Sequence, residues 1–286
     1  MAIAKVGLAV GILTYLIIQA RHGFARLSAR SLSWPFLAAA LLCSLATATL
    51  SFTRWHVLIR ALNISSRLVD SLRLGALGFA LNFVSLGSIG GDLFKAVFLA
   101  HGHPGQRTEA VATVFADRAL GLLAMLSIAS CGILVTGLTH VASPPLRALA
   151  QFILLVTLLG WVAFALLMFV GALSGNWITE KAARVPVIGK TAARLLGTVH
   201  IYRTRKSMLL VAFIMSAMMA LCSITTFYLI SRGLGIQGPP WSEHVVIVPM
   251  AGVVGAVPLT PSGLGTMEYA VEELYKAMPG GADVVK

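Results

Sequence analysis

Glycine, proline and carboxylate residues interrupt two apolar stretches of this chain in a pattern that few folds accept. Residues 82–92 read Asn-Phe-Val-Ser-Leu-Gly-Ser-Ile-Gly-Gly-Asp, and residues 258–268 read Pro-Leu-Thr-Pro-Ser-Gly-Leu-Gly-Thr-Met-Glu. Lipid offers no hydrogen-bond partner to a broken backbone, so such segments must be buried in protein or line a wet cavity. Paired breaks in the two halves of a membrane protein indicate a binding site near the bilayer midplane.

The composition is that of a helical membrane protein. Of the 286 residues, 58% are hydrophobic and 11% are charged, whereas a soluble domain carries about 25% charged residues. The sequence therefore predicts an all-α, polytopic fold with a single transmembrane domain over residues 1–286. Apolar runs long enough for a core of about 30 Å predict five full spans, at residues 3–20, 34–52, 112–138, 149–173 and 208–231.

Two further apolar pieces, residues 74–88 and 245–258, are too short to cross. As helices they would extend roughly 20–22 Å. Each lies beside one of the two breaks. We therefore expect two re-entrant hairpins built from broken helices, in addition to the five spans.

The distribution of Lys and Arg predicts the orientation. With a cytoplasmic N-terminus and a re-entrant segment at 74–100, 14 basic residues lie inside and 5 outside; a single crossing by 74–100 gives 12 and 7. The positive-inside rule favours the re-entrant arrangement. The two hairpins then enter from opposite faces, which is the relation expected of an inverted repeat.

The net charge of +12, from 22 basic and 10 acidic residues, does not indicate nucleic acid here, because the basic residues flank apolar segments. They are read as topology signals and contacts to anionic lipids. The richest segment, residues 174–207, is expected to be a cytoplasmic loop. It is either a solvated loop or an interfacial helix pair that binds anionic headgroups.

The first break contains candidate binding residues. Its glycines allow tight turns and close approach of the backbone, and Asn82 can hydrogen-bond the exposed carbonyls of a broken helix. Asp92 suits a helix start, where free N–H groups can also hold an anion. The segment is either a capped helix start at a packing bend or a headgroup site. The candidates are Asn82, Gly87, Ser88, Gly90, Gly91, Asp92 and Lys95.

Charged residues elsewhere complete the candidate site. Asp117 and Arg118 lie inside an apolar helix, where charges are costly and often functional. Adjacent helical residues point about 100° apart, so Arg118 is expected to pair with Asp92 or Glu268, and Asp117 with another basic residue or the interface. A structural ion pair is the alternative. The second break contributes Pro261, Gly263, Gly265 and Glu268, which form either a binding turn or a structural turn whose carboxylate complements the helix dipole.

The sequence contains no nucleotide-binding loop, no nucleophile elbow and no zinc signature. We therefore predict no catalytic residue, no metal, no cofactor and no enzymatic activity of this chain alone.

In these motifs the chain resembles the flippase-like transmembrane domain of lysylphosphatidylglycerol synthases. That family has Arg-Trp late in a helix, an Asn before a glycine-rich turn ending in Asp with a basic residue three positions on, an Asp-Arg pair, and a late Pro-x-Gly-Leu-Gly-x-x-Glu. The matching residues here are Arg54-Trp55, Asn82, Gly87 to Asp92 with Lys95, Asp117-Arg118, and Pro261 to Glu268. The resemblance covers about residues 34–275. Leu86 and Ser88 depart from it, since many members have Pro and Arg there.

The resemblance implies a flippase-like protein that translocates or handles a lipid or lipid-linked polar headgroup at the inner (cytoplasmic) membrane. Two alternatives stay open. The chain is the membrane subunit of an aminoacyl- or glycosyl-lipid enzyme whose catalytic domain is a separate transferase chain, or it is a scaffold without transport. A co-purifying lipid would argue against the scaffold.

Overall fold

A computed structural model describes residues 14, 32–84, 90–141, 144–173, 201–236, 238–256 and 265–278. In this part of the chain all regular structure is helical, as predicted. The helices are α1 (Trp34–Ala61), α2 (Leu68–Val84), α3 (Gly90–Gly102), α4 (Arg107–Thr136), α5 (Leu138–Val141), α6 (Pro144–Leu173), α7 (Lys206–Gly233), α8 (Trp241–Ala256) and α9 (Thr266–Ala277), with a 3₁₀ turn at Pro104–Gln106 before α4.

Four of the described helices are long and apolar enough to cross a membrane. The spans are Trp34–Ala61, Pro104–Thr136, Leu146–Met168 and Lys206–Gly233. They confirm four of the five predicted spans, while residues 3–20 lie outside the described residues. The first of these spans continues to Ala61, beyond the predicted end at residue 52, because the charge of Arg54 is buried against other helices rather than placed in the headgroup region.

Helices α1 and α7 pack against each other as an antiparallel pair. At one end the Ser33 N–H donates to the Gly233 carbonyl over 2.9 Å. At the other end Arg205 Nη2 donates to Asn63 Oδ1 over 3.2 Å. We call these ends the Gly233 face and the Asn63 face of the protein.

Helices α2 and α3 form the first hairpin. Near its tip the Gly91 N–H donates to Asn82 Oδ1 over 2.9 Å. At its open end His103 Nε2 donates to the Ser65 carbonyl over 2.9 Å. Residues just before α2 and just after α3 therefore meet at the Asn63 face. Segment 74–100 returns to the face from which it started, as the re-entrant prediction requires.

Helices α8 and α9 form the second hairpin. Its open end is closed by a hydrogen bond between the Tyr275 hydroxyl and the buried His244. Towards its tip, a Cβ placed on Gly255 would lie 3.0 Å from Met267 Cβ. Because α8 follows α7, this hairpin opens at the Gly233 face. The two hairpins therefore enter from opposite faces, in agreement with the expected inverted relation.

Each hairpin has its own hydrophobic core. The residues around Trp55, Leu58 and Ile59 of α1 pack with Tyr202 and Leu209 in the half of the bundle that holds the first hairpin. The second core lies in the opposite half and joins α4, α6, α8 and α9, through residues that include Ile133, Ile153, Ile247, Met250 and Leu274. Helix α4 runs through both halves and contacts both hairpins.

The charge distribution predicts that the Asn63 face is cytoplasmic. Gly105→Cys and Ser242→Cys, in a variant lacking Cys43, Cys131 and Cys222, test this because both positions are exposed at opposite faces. A Cβ on Gly105 meets no atom within 4 Å. We expect an impermeant thiol reagent applied to intact cells to label Ser242→Cys and to spare Gly105→Cys. The reverse pattern would invert the orientation.

Candidate functional site

Three charged side chains meet where the first hairpin contacts α4. Asp92 lies in the first turn of α3. Lys95 Nζ is 2.9 Å from Asp92 Oδ1, and Arg118 Nε pairs with Asp92 Oδ2. The Asp92 and Lys95 side chains are 11% and 14% exposed, whereas the Arg118 side chain is 51% exposed. The predicted pairing of Arg118 with Asp92 is therefore present, and Arg118 forms the open side of the cluster.

Helix α1 fixes the position of Lys95. The Lys95 ammonium lies over the Trp55 ring, 5.3 Å from its centroid. The Trp55 ring is buried, and its Nε1 donates to Thr113 Oγ1 of α4 over 3.2 Å. Cation–π contacts of this kind strengthen when they are removed from water. Lys95 is thus held between a carboxylate of the hairpin and an indole of the scaffold.

Close backbone packing sets the shape of the hairpin beside this cluster. A Cβ on Gly91 would lie 1.9 Å from the Gly78 carbonyl oxygen and 2.6 Å from Asn82 Oδ1. Only glycine fits at position 91, which is the close approach that the sequence predicts for this glycine. Asn82 uses its carboxamide oxygen to accept the Gly91 N–H. Gly90 begins α3 directly before this contact.

Asp117 points away from Arg118 and into the scaffold. Arg54 Nε donates to Asp117 Oδ1 over 2.9 Å, and both side chains are 6% exposed. Arg54 Nη1 also donates to Ser216 Oγ over 2.7 Å. A Cβ on Gly121 would lie 2.9 Å from Arg54 Nη1. The pair joins α1, α4 and α7. Asp117 therefore connects the long helices to one another, whereas the adjacent Arg118 connects α4 to the first hairpin.

The second break places Glu268 at the start of α9. Gly265 has a φ of 82°, and its N–H donates to Glu268 Oε2 over 2.7 Å. Glu268 is exposed and caps its own helix, which is the structural interpretation that the sequence left open. Among the described residues no ion pair joins Glu268 to Arg118. Gly87, Ser88, Pro261 and Gly263 lie outside the described residues.

The described parts of the two hairpins approach each other along α4. Asp92 of the first hairpin contacts Arg118. Gly252 of the second lies beside Met125, whose Sδ would be 3.0 Å from an added Cβ. Seven positions separate Arg118 from Met125, or about 10 Å along a helix. The midpoint of the span Pro104–Thr136 falls in this interval, so the charged cluster lies near the middle of α4.

Sequence reasoning missed several residues that build this site. The sequence marks Arg54 and Trp55 as a motif and not as parts of the site, and it does not single out Gly78, Thr113 or Ser216. One signal was available for Arg54. It is a cation close to an apolar run, and Asp117 is an anion in another run, which makes them complementary candidates for an intramembrane pair.

Comparison with known protein families identifies the family of the chain. The family model described as "Lysylphosphatidylglycerol synthase TM region" matches residues 2–284, a longer stretch than residues 34–275. No curated protein and no solved structure matches the chain. With four candidate spans, the chain is a multi-pass integral membrane protein of lipid metabolism or handling, and it belongs to the lysylphosphatidylglycerol synthase transmembrane-region family.

Proposed function

We propose that the chain translocates a lipid or lipid-linked molecule by holding its polar headgroup between the two hairpins. The observation that supports this most strongly is a partly buried ionic cluster near the middle of α4, the helix that both oppositely inserted hairpins contact. Ionisable groups at membrane depth are costly and mark substrate pathways. Inverted repeats that meet at the midplane are the architecture of alternating-access transporters.

Opposite insertion suggests how the site opens. The first hairpin is anchored at the Asn63 face by the contact between His103 and Ser65. The second is anchored at the Gly233 face by the contact between Tyr275 and His244. Movement of either hairpin relative to α4 would expose the cluster to one face while the acyl chains stay in lipid. The Arg54–Asp117 pair joins the helices against which the hairpins would move.

Lipid exchange in vesicles tests the transport proposal. The full chain is reconstituted into vesicles of phosphatidylethanolamine and phosphatidylglycerol that contain a trace of fluorescent phosphatidylglycerol, and exchange between leaflets is followed with an impermeant quencher. We expect Asp92→Asn and Arg118→Gln each to slow exchange about tenfold or more, since each removes a charge-assisted contact. Lys276→Gln, a cation removed at the open end of the second hairpin, is the matched control.

Two results would contradict the proposal. If the wild-type chain exchanges the lipid no faster than protein-free vesicles do, the chain is better explained as a scaffold or as an enzyme subunit. Equal exchange by wild type, Asp92→Asn and Arg118→Gln means that the path avoids this cluster. Transport at the cytoplasmic membrane also predicts that residues 174–207 face the cytoplasm and bind anionic headgroups. A synthetic peptide of residues 174–207 should then float with vesicles that contain anionic lipid and not with vesicles that lack it.

The family description supports a second candidate, because it names the membrane region of a synthase. In this function the chain presents a lipid to a separate transferase chain. We expect the purified chain to make no new lipid from aminoacyl-tRNA or a nucleotide sugar plus an acceptor lipid, as judged by mass spectrometry. A modified lipid formed without a partner would show catalysis by the chain itself.

A further inference from the structure

We infer that His103 is a proton-binding site that fastens the open end of the first hairpin, and that loss of this proton as the pH rises loosens the hairpin at the Asn63 face. The basis is the pair of carbonyl oxygens that the two nitrogens of the His103 ring contact. The inference goes beyond the proposed function and holds whether or not the chain transports a lipid.

The hydrogen bonds of His103 determine the charge of its ring. Nε2 is 2.9 Å from the Ser65 carbonyl oxygen, across the opening of the hairpin, and Nδ1 is 3.1 Å from the Leu99 carbonyl oxygen of α3. A carbonyl oxygen only accepts hydrogen bonds, and a neutral imidazole has a single N–H group. Because only an imidazolium donates from both nitrogens, the closed hairpin holds the protonated ring.

The position of His103 at the end of α3 also favours a positive charge. The helix ends at Gly102, so the Leu99 carbonyl is one of its last four, which need donors from outside the regular helix. The backbone N–H of His103 donates to the Ala100 carbonyl, and its ring serves Leu99 instead. A cation beside the last turn of a helix is further stabilised by the helix dipole.

Titratable and charged groups lie around His103 on the elements that meet it, namely Asp70, His56, His101 and Arg107. Asp70 of α2 lines the same cavity of about 180 Å³ as His103, and a carboxylate favours a cation nearby. His56 of α1 contacts two serine hydroxyls of the cavity wall, which can donate or accept, so its bonds require no charge. His101 and Arg107 are exposed, and water weakens their repulsion.

The second hairpin has a similar contact that needs no proton. His244 Nδ1 is 3.1 Å from the carbonyl oxygen of Pro240, four positions earlier, and the other ring nitrogen contacts the Tyr275 hydroxyl. That hydroxyl can donate to a neutral ring. His244 is also fully buried, which disfavours a charge. We therefore expect only the first hairpin to respond to pH through its histidine.

The direction of the pH effect follows from the number of donors. While the ring is protonated, both carbonyl oxygens have a donor. When the ring loses its proton, one carbonyl oxygen loses its donor and meets a nitrogen lone pair instead. The contact between His103 and Ser65 is therefore strongest on the acidic side of the range in which imidazoles titrate, between about pH 5 and 8, and it weakens as the pH rises.

Thiol labelling of the purified full chain in dodecyl maltoside tests the inference. Ser66 is half-buried and lines the cavity at the hairpin opening, so Ser66→Cys, in a variant lacking the three native cysteines, reports access to that opening. Gly105→Cys is exposed, and dividing by its labelling rate removes the effect of pH on the thiol itself. We expect this ratio to rise about threefold or more between about pH 5.5 and 8.5.

Two histidine variants identify the proton site. His103→Gln can donate a hydrogen bond but has no group that titrates, so its labelling ratio should be nearly the same at both pH values. His101→Gln removes an exposed histidine of the same helix and should keep the full pH dependence. The melting temperature is a second readout, and over the same pH change it should fall about 2–5 °C more with His103 present than in His103→Gln.

Three results would overturn the inference. They are a labelling ratio that does not change with pH while His103 is present, a ratio that falls as the pH rises, and an undiminished rise in His103→Gln. If His103→Gln does not fold, the ratio measured with His103 present and in His101→Gln decides. Neither measurement involves lipid exchange, so failure of the transport proposal and failure of this inference are distinguishable.

Discussion

Replacing Arg54 with alanine is expected to lower the free energy of unfolding by ~3–5 kcal/mol, because it leaves Asp117 as a buried charge without its cation. Both side chains are 6% exposed and their atoms are 2.9 Å apart. The substitution also removes the Arg54 N–H group that donates to the Ser216 hydroxyl, and with it a hydrogen bond between α1 and α7. Unfolding in mixed micelles titrated with sodium dodecyl sulfate measures the change.

Two further variants identify the cause of the loss. Arg60→Ala removes a cation from the same helix at an exposed position and should change stability by less than ~1 kcal/mol. The double variant Arg54→Met, Asp117→Leu should be clearly more stable than Arg54→Ala, since apolar residues of similar volume often replace a buried ion pair at little cost. Equal stability of Arg54→Ala and Arg60→Ala would mean that the buried pair does not support the fold.

Replacing Gly91 with alanine is expected to reduce lipid exchange about tenfold or more and to destabilise the protein by ~1–3 kcal/mol, the usual cost of overpacking. The added Cβ would lie 1.9 Å from the Gly78 carbonyl oxygen. A backbone oxygen cannot rotate away as a side chain can, so α2 and α3 must separate. Asp92, the next residue, would move away from Arg118. Vesicle exchange and micelle unfolding measure the two effects.

Gly102→Ala is the matched control for this change. Gly102 ends the same helix, and a Cβ there meets no atom within 4 Å. We expect its exchange rate and stability to equal those of the wild type. If Gly91→Ala also behaved as the wild type, the tight contact between α2 and α3 would not be required for transport.

The sequence by itself determined which segments form spans, which form hairpins and which charged residues lie within apolar segments. Apolar length predicts the spans, because crossing a hydrocarbon core requires a minimum number of residues. Glycine and proline between short apolar pieces predict the hairpins, because an unpaired backbone is excluded from lipid. Intramembrane charges identify Asp92, Asp117 and Arg118 as unusual, because each is costly unless compensated. All three signals are local and can be read from one segment at a time.

Only the tertiary structure decided which partners compensate these charges. The choice of Arg54 for Asp117, the bracing of Lys95 by Trp55, and the contact of Gly91 with Gly78 depend on how helices distant in sequence are rotated and staggered. The spacing of residues within one helix does not contain that information. Glu268 illustrates the point. Its carboxylate could pair with a distant cation or cap its own helix, and in the fold it accepts the Gly265 N–H.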